Sequence, residues 1–212
     1  MQSYKIVLIY KFQNDTIFRF FINFVNKNRK MSKIRLKNIA FCKQSLVDIE
    51  QLYIKSFPPE ERRDWSDIKR LISQDVSPYN IEVIEQNETF VGFISWWNLE
   101  QFCYIEHFAI EERLRGAGIG TLAIKTFVEK INNGVVFEVE LPNLNEMAKR
   151  RIDLYRRNGF VAHETFGYIQ PSYGEGLPSV PMMLMSANNV SDIDLPFIAK
   201  TIHRFVYGVK ND

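Results

Sequence analysis

Cysteine and histidine are scarce in this chain: two cysteines, Cys42 and Cys103, and three histidines, His107, His163 and His203, among 212 residues. The cysteines lack metal-like spacing and sit in apolar-leaning segments, so they read as small core residues rather than a disulfide or redox pair. The histidines are too scattered for a structural zinc site, and no metal is expected. No apolar run approaches the roughly 20 residues of a membrane span. No small-residue cleavage site follows the apolar stretches near the start. A dominant charge is missing too, the formal net charge being only +2. From residue 31 onward there are 21 basic and 24 acidic residues, a mildly acidic body that argues against a nucleic-acid partner. What remains is an ordinary composition, 46% hydrophobic and 25% charged, long enough for one domain with a full core. A cytoplasmic protein with no membrane partner is the expectation.

The first thirty residues differ from the rest. They hold six Lys/Arg against one acid, Asp15, and 19 of them are Phe, Ile, Lys, Asn or Tyr, whose codons are rich in A and T. A Met-Ser pair opens at Met31, directly before the alternating "KIRLKNI". Residues 1–30 are therefore expected to be upstream read-through, with the working protein starting at Met31. A basic, aromatic surface helix or membrane-touching anchor is the rival reading.

From residue 31 the pattern is legible. A strand over 33–39 precedes a helical stripe over 44–57, which Pro58-Pro59 stops. Asp64 is a candidate cap for a second helix. Runs at 80–86, 89–99 and 102–110 read as an antiparallel meander, with Asn87-Glu88 as a tight hairpin turn. A helix over about 119–131, a buried strand at 135–141 and a helix over 145–158 follow. Strands at 160–169 and 181–186 come next, and an amphipathic segment at 195–209 closes the chain, either on the sheet or in a dimer. The C-terminal helix is expected from about residue 193. These elements predict an α/β fold with a mixed sheet and helices on its faces.

Glycine is sparse as well, ten in all, yet three fall at 116, 118 and 120 within "RLRGAGIGTL" (113–122). The stretch lacks the Gly-Lys-Ser/Thr of a P-loop and the spacing of a Rossmann turn. It sits between a strand and a helix. There it makes a turn of free backbone N–H groups suited to a diphosphate at a helix N-terminus. Without a Cβ the backbone approaches its ligand closely, and Arg115 adds a positive charge.

"FAIEERLRGAGIGTLAI" resembles motif A of the GNAT superfamily of N-acetyltransferases, and "LYRRNGF" (154–160) resembles that family's second hallmark. The resemblance covers residues 33–186 by element order, but only 104–122 and 145–160 by residue type. "SFPPEERR" and the Tyr-x-Gln-Pro loop are similar, more loosely, to a bacterial subgroup. The resemblance implies a GNAT-type, mainly antiparallel central sheet with helices on both faces, and acetyl-CoA as acyl donor. It implies that Phe108, Ala109 and Ile110 pair their backbone with the pantetheine arm. The backbone of Arg115, Gly116, Ala117, Gly118, Ile119, Gly120 and Thr121 would bind the pyrophosphate, and Tyr155 would lie near the thioester sulfur. The family often has Asn seven residues before that tyrosine, where this chain has Ala148; Asn145 lies a turn earlier.

Acetyl transfer to an amine needs a proton acceptor for the amine and benefits from an acid near the departing thiolate. Regular alternation along 102–110 puts Tyr104, Glu106 and Phe108 on one face and Cys103, Ile105 and His107 on the other. A carboxylate in "YIEHFAI" has reason to face a cleft. Glu106 is thus the expected general base, directly or through water, with His107 pointing away into packing. Tyr155 is the expected acid, a role that only the resemblance lifts above that of a core tyrosine. Direct transfer is expected rather than an acyl-enzyme, since Cys103 has the wrong parity and no Ser/His/Asp set is evident. Arg62 and Arg63 either hold an acceptor carboxylate or are solvated charges at a helix start. Trp96-Trp97 and "QPSYGEGLP" are candidates for the acceptor side. The acceptor is expected to be a small-molecule or peptide amine, and the protein a monomer or homodimer. The alternative function is a CoA-binding regulatory or structural module without turnover.

Overall fold

The computed structural model describes residues 34–210, so the expectation for residues 1–30 lies outside the described residues. The meander forms because three apolar-rich runs are separated by turns too short to do anything else. Strand β2 (Tyr79–Gln86) pairs antiparallel with β3 (Thr89–Asn98), and β3 with β4 (Phe102–Ile110). Asn87 and Glu88 make the first turn with φ of 50° and 65°. Both lie in the left-handed region that a two-residue hairpin demands, adopted here without glycine. Strand β1 (Ile34–Asn38) lies outside β2.

Beyond the meander, β5 (Gly134–Glu140) runs parallel to β4, the chain returning through a helix as a parallel pair requires. Strand β8 (Val180–Ala187) pairs antiparallel with β5. On its far side β8 takes β6 (Val161–Ala162) and β7 (Tyr168–Gln170), two short pieces where one strand over 160–169 was expected. The sheet has eight strands in the order β1-β2-β3-β4-β5-β8-β6, with β7 also on β8.

Helices α1 (Leu46–Ser56), α2 (Trp65–Ser73) and α5 (Leu195–Phe205) cover one face. Helices α3 (Ile119–Lys130) and α4 (Glu146–Arg157) cover the other. Each is amphipathic and buries its stripe. Ile49 and Tyr53 of α1, Ile198 and Ile202 of α5, and Phe127 of α3 are all buried. Each such side chain contributes roughly 1.5–3 kcal/mol of burial. Asp64 precedes α2 without a side-chain capping bond, whereas Asn145 caps α4 through an Ala148 N–H to Oδ1 bond of 2.8 Å. The C-terminal helix thus packs on the sheet. His163, between β6 and β7, fastens its start: Nδ1 lies 2.6 Å from Asp192 and Nε2 2.7 Å from Ser186 of β8. This is the Ser/His/Asp set that the sequence left unseen. Ser186 is only 1% exposed, so the trio serves as a pin rather than a nucleophile.

Candidate active site

The parallel ladder between β4 and β5 is short. It runs from Phe102↔Gly134 to Ile105↔Phe137 and stops. Past that point the two strands part, and a cleft of about 640 Å³ opens between Phe108–Ile110 on one side and Glu138–Glu140 on the other. Phe108, Ala109 and Ile110 remain paired with β3 on their outer edge, so their other edge is free of β5. The Ile110 carbonyl is already taken, accepting from Arg115 Nε at 2.9 Å. Arg115 therefore spends its guanidinium partly on tying the glycine turn to β4.

The turn forms the cleft's far end. Gly116 and Gly118 have φ of +81° and +82°, and a Cβ at either would meet nothing within 4 Å. Conformation rather than crowding demands glycine there, and the open space lies toward the cleft that both residues line. Gly118 is the N-cap of α3. The N–H groups of Ile119, Gly120 and Thr121 thus belong to its first turn, where no helical carbonyl is available to them. These amides, with the positive end of a 12-residue helix, make a site for a diphosphate.

A bulge decides what faces the cleft. Ser95 pairs with His107 but Trp96 pairs with Ile105, leaving Glu106 as an extra residue in β4. The alternation resets there. Phe102 and Tyr104 lie in the α1/α2/α5 core and Cys103 and Ile105 in the α3/α4 core, but Ala109 joins the first while Phe108 and Ile110 join the second. Glu106 and His107 consequently share a face, which corrects the expected pairing of Glu106 with Phe108 and the expectation that His107 points away. Extra residues of this kind break the period-2 rule and re-aim side chains. His107 packs edge-on against Tyr53 and Phe57. Its Nε2, 3.0 Å from the Glu61 carbonyl, must be the donor, which leaves Nδ1 to accept from Ser95 at 3.3 Å. Burial lowers its pKa, against the pull of Glu106, and keeps it neutral.

The Glu106 carboxylate does not face open space as expected. Its side chain is 0% exposed, and what reaches the cleft is the residue's backbone at the bulge. Arg63 Nε and Trp97 Nε1 each donate to it at 2.8 Å, and Tyr173 Oη at 3.1 Å. Burial alone would raise its pKa, but Arg63 chiefly, then His107 and the Trp97 and Tyr173 donors, outweigh that and hold it below the usual carboxylate range. Arg63 is thus neither solvated nor free. It lies between the rings of Trp97 and Tyr173, 5.3 Å from each centroid, and its guanidinium also donates to the Val206 carbonyl beyond α5. Trp96 faces the other way, onto Phe127.

Glu138 went unremarked in the sequence because "VVFEVEL" reads as a plain buried strand. In the structure it lines the cleft just past the last β4–β5 pair. Tyr168 donates to Oε1 and Tyr207 to Oε2, the latter at 2.9 Å. Burial pushes its pKa up, the Tyr168, Tyr207 and Tyr104 hydroxyls oppose, and the balance leaves it at about 7.

Tyr155 of α4 borders the cleft from the α3/α4 face, against Phe137 at 4.7 Å and Phe160 at 5.7 Å. Its hydroxyl has no hydrogen-bond partner among the described residues. Burial raises its pKa, so it is a protonated donor near neutral pH. Asn145 is committed to capping α4. No group of three or more His, Cys, Asp or Glu suited to a metal occurs among the described residues.

A sequence profile described as the acetyltransferase (GNAT) family matches residues 46–160. The chain belongs to the GNAT acetyltransferase family. Among solved structures, a GNAT-family protein from Bacteroides thetaiotaomicron, described as an acetyltransferase, is 35% identical. The match covers 84% of this chain and 99% of that one, with a TM-score of 0.77. More distant GNAT folds include a spermidine N-acetyltransferase chimera from Vibrio cholerae and hSSAT, 16% identical over 72% and 95% of the two chains, TM-score 0.53. The ribosomal-protein-S18-alanine N-acetyltransferase of Escherichia coli is likewise 16% identical, over 76% and 97%, TM-score 0.50. No curated protein matches the chain. The GNAT assignment confirms the resemblance drawn from "RLRGAGIGTL" and "LYRRNGF", and with it the mixed, mainly antiparallel sheet.

Proposed function

We propose that this protein transfers an acetyl group directly from acetyl-CoA to a primary amine. The observation that carries the reading is the parting of β4 from β5 beside a glycine turn that opens a helix N-terminus. A pyrophosphate suits the amides of residues 115–121, where partial positive charge and bare backbone coincide. The freed edge of Phe108–Ile110 suits the amides of an extended pantetheine arm, as a sheet edge suits an added strand. Tyr155, protonated and bordering the cleft, would give a proton to the departing sulfur.

The acceptor would enter from the opposite face, where α1, α2 and α5 meet the sheet. Glu106, expected as the general base, is better used there as a fixed anion. Its side chain is closed off from the cleft, and its low pKa makes it a weak base. The acceptor in this reading is a small molecule or a peptide N-terminus.

Calorimetric titration of the full chain with acetyl-CoA tests it. We expect saturable binding, and none for Gly118→Glu, which places a carboxylate on the anion site. Absence of binding by the folded wild-type protein would overturn the proposal.

A further inference from the structure

We propose that Glu138 takes the proton from the acceptor's ammonium group, and that Tyr207, from the C-terminal segment, holds Glu138 in position to do so. The inference rests on the acetyl-transfer reading above and assigns its missing base.

Three features of the geometry lead to it. Glu138 sits on β5 opposite the gap, and it points to the side of Tyr104, Tyr168 and Tyr207, whereas Tyr155 borders the gap from the other side. A base and an acid on different sides of one opening suit attack on a thioester. The amine adds to one face of the carbonyl and the sulfur leaves the tetrahedral carbon by a separate bond, so the two proton transfers occur at different places. Second, Glu138 lines the cleft, and with the Tyr168, Tyr207 and Tyr104 hydroxyls about it a carboxylate of about four lone-pair positions keeps one for an ammonium. The Glu106 side chain, by contrast, has no exposure and is closed in by Arg63, Trp97 and Tyr173. Third, the charged and titratable groups around Glu138 leave it a usable base. Tyr104 and Glu106 face it from β4, Tyr168 from β7, Tyr173 from the following loop and Tyr207 from the tail, while Arg63 neutralises Glu106. Its pKa of about 7 matches the working range of a general base.

Tyr207 reaches this place because the chain turns sharply after α5, with Gly208 at φ +70° and the Val206 carbonyl held by Arg63. Its oxygen lies 3.3 Å from both the Tyr104 and Tyr173 hydroxyls. One N–H proton of the ammonium passes to Glu138, and the freed nitrogen lone pair forms the C–N bond. The C–S bond breaks, and the second proton goes to sulfur by way of Tyr155, giving the amide, the thiol and a protonated Glu138.

The test follows CoA release from acetyl-CoA by the full-length protein with n-butylamine, spermidine and an alanine-initiated peptide between pH 6 and 9, together with acetyl-CoA calorimetry on each variant. In the wild type kcat/KM should rise through about pH 7 and level off while the amine remains protonated, up to about pH 10 for n-butylamine and about pH 8 for the peptide α-amine. Glu138→Gln should lose roughly 10²- to 10⁴-fold in kcat and the limb near 7, with acetyl-CoA affinity kept within threefold. Tyr207→Phe removes a donor to the ionised carboxylate, so the limb should move up by about one pH unit. Glu138→Gln within threefold of wild type, or an unmoved limb in Tyr207→Phe, would overturn the proposal. Binding of acetyl-CoA without transfer to any of the three amines would overturn it as well. Failure to bind acetyl-CoA would strike instead at the reading on which it rests.

Discussion

Two adjoining tyrosine hydroxyls lie between the carboxylates of Glu106 and Glu138: Tyr207 donates to Glu138 at 2.9 Å, Tyr173 donates to Glu106 at 3.1 Å, and the two oxygens are 3.3 Å apart. Each hydroxyl spends its one proton on its own carboxylate, so the two oxygens adjoin without a proton between them and two differently charged acids sit side by side. Arg63 beside Glu106 favours its charge, while burial of Glu138 without a cation disfavours charge. Environments that push two acids apart in pKa also divide their roles.

That division has a consequence for stability. The Glu138 pKa of about 7 lies above its unfolded value near 4.3, so the folded protein binds more protons than the unfolded chain between these values. Stability is therefore highest for this group below about pH 4 and falls as pH rises through 7, by on the order of 3 kcal/mol in all. Glu138→Gln removes the titrating group. Urea unfolding at pH 5 and pH 8 should show the variant gaining on the wild type as pH rises.

Glu106 carries the opposite sign. Its folded pKa is depressed, so its contribution is present above the unfolded value and is lost as pH falls through the folded one. Glu106→Gln leaves Arg63, whose side chain is 15% exposed, without its counter-charge. Breaking such a buried pair costs about 3–5 kcal/mol. Denaturant midpoints should show this loss, and the Arg63→Met/Glu106→Gln double variant should lose less than the two single changes together.

Much of this was legible in the chain and some was not. The hairpin at Asn87-Glu88, the helix over 146–157 and the glycine turn follow from local signals, because a turn or a helix cap is made by residues close in sequence. The bulge at Glu106 left no such signal. It is a property of the β3–β4 pairing, and a period-2 reading of "YIEHFAI" cannot register an inserted residue. The donors to Glu106 come from positions 63, 97 and 173, and those to Glu138 from 168 and 207. Such long-range assemblies are set by topology. Arg63 looked like a surface charge, and Glu138 like an incidental acid in an apolar strand, for the same reason.

His163 offers a contrast between stability and activity. His163→Ala leaves the hydroxyl of Ser186, buried among its neighbours, without its imidazole partner and frees Asp192 ahead of α5. A loss of about 1–3 kcal/mol is expected from urea unfolding. Acetyl-CoA affinity should stay unchanged, because the trio does not border the cleft.

Tyr155→Phe should keep acetyl-CoA affinity and lower kcat by roughly ten- to a thousandfold, a loss confined to the step that needs its proton. Single-turnover measurements at saturating acetyl-CoA separate this from slow product release.

The central claim is that the opening between β4 and β5 is where donor and acceptor meet. A crystal structure of the full-length protein with coenzyme A bound tests it most directly. The account predicts the pyrophosphate on the amides of residues 115–121, the pantetheine arm along Phe108–Ile110, and the sulfur between Tyr155 and Glu138. Density for the pyrophosphate elsewhere, or a thiol end directed away from the opening, would contradict it.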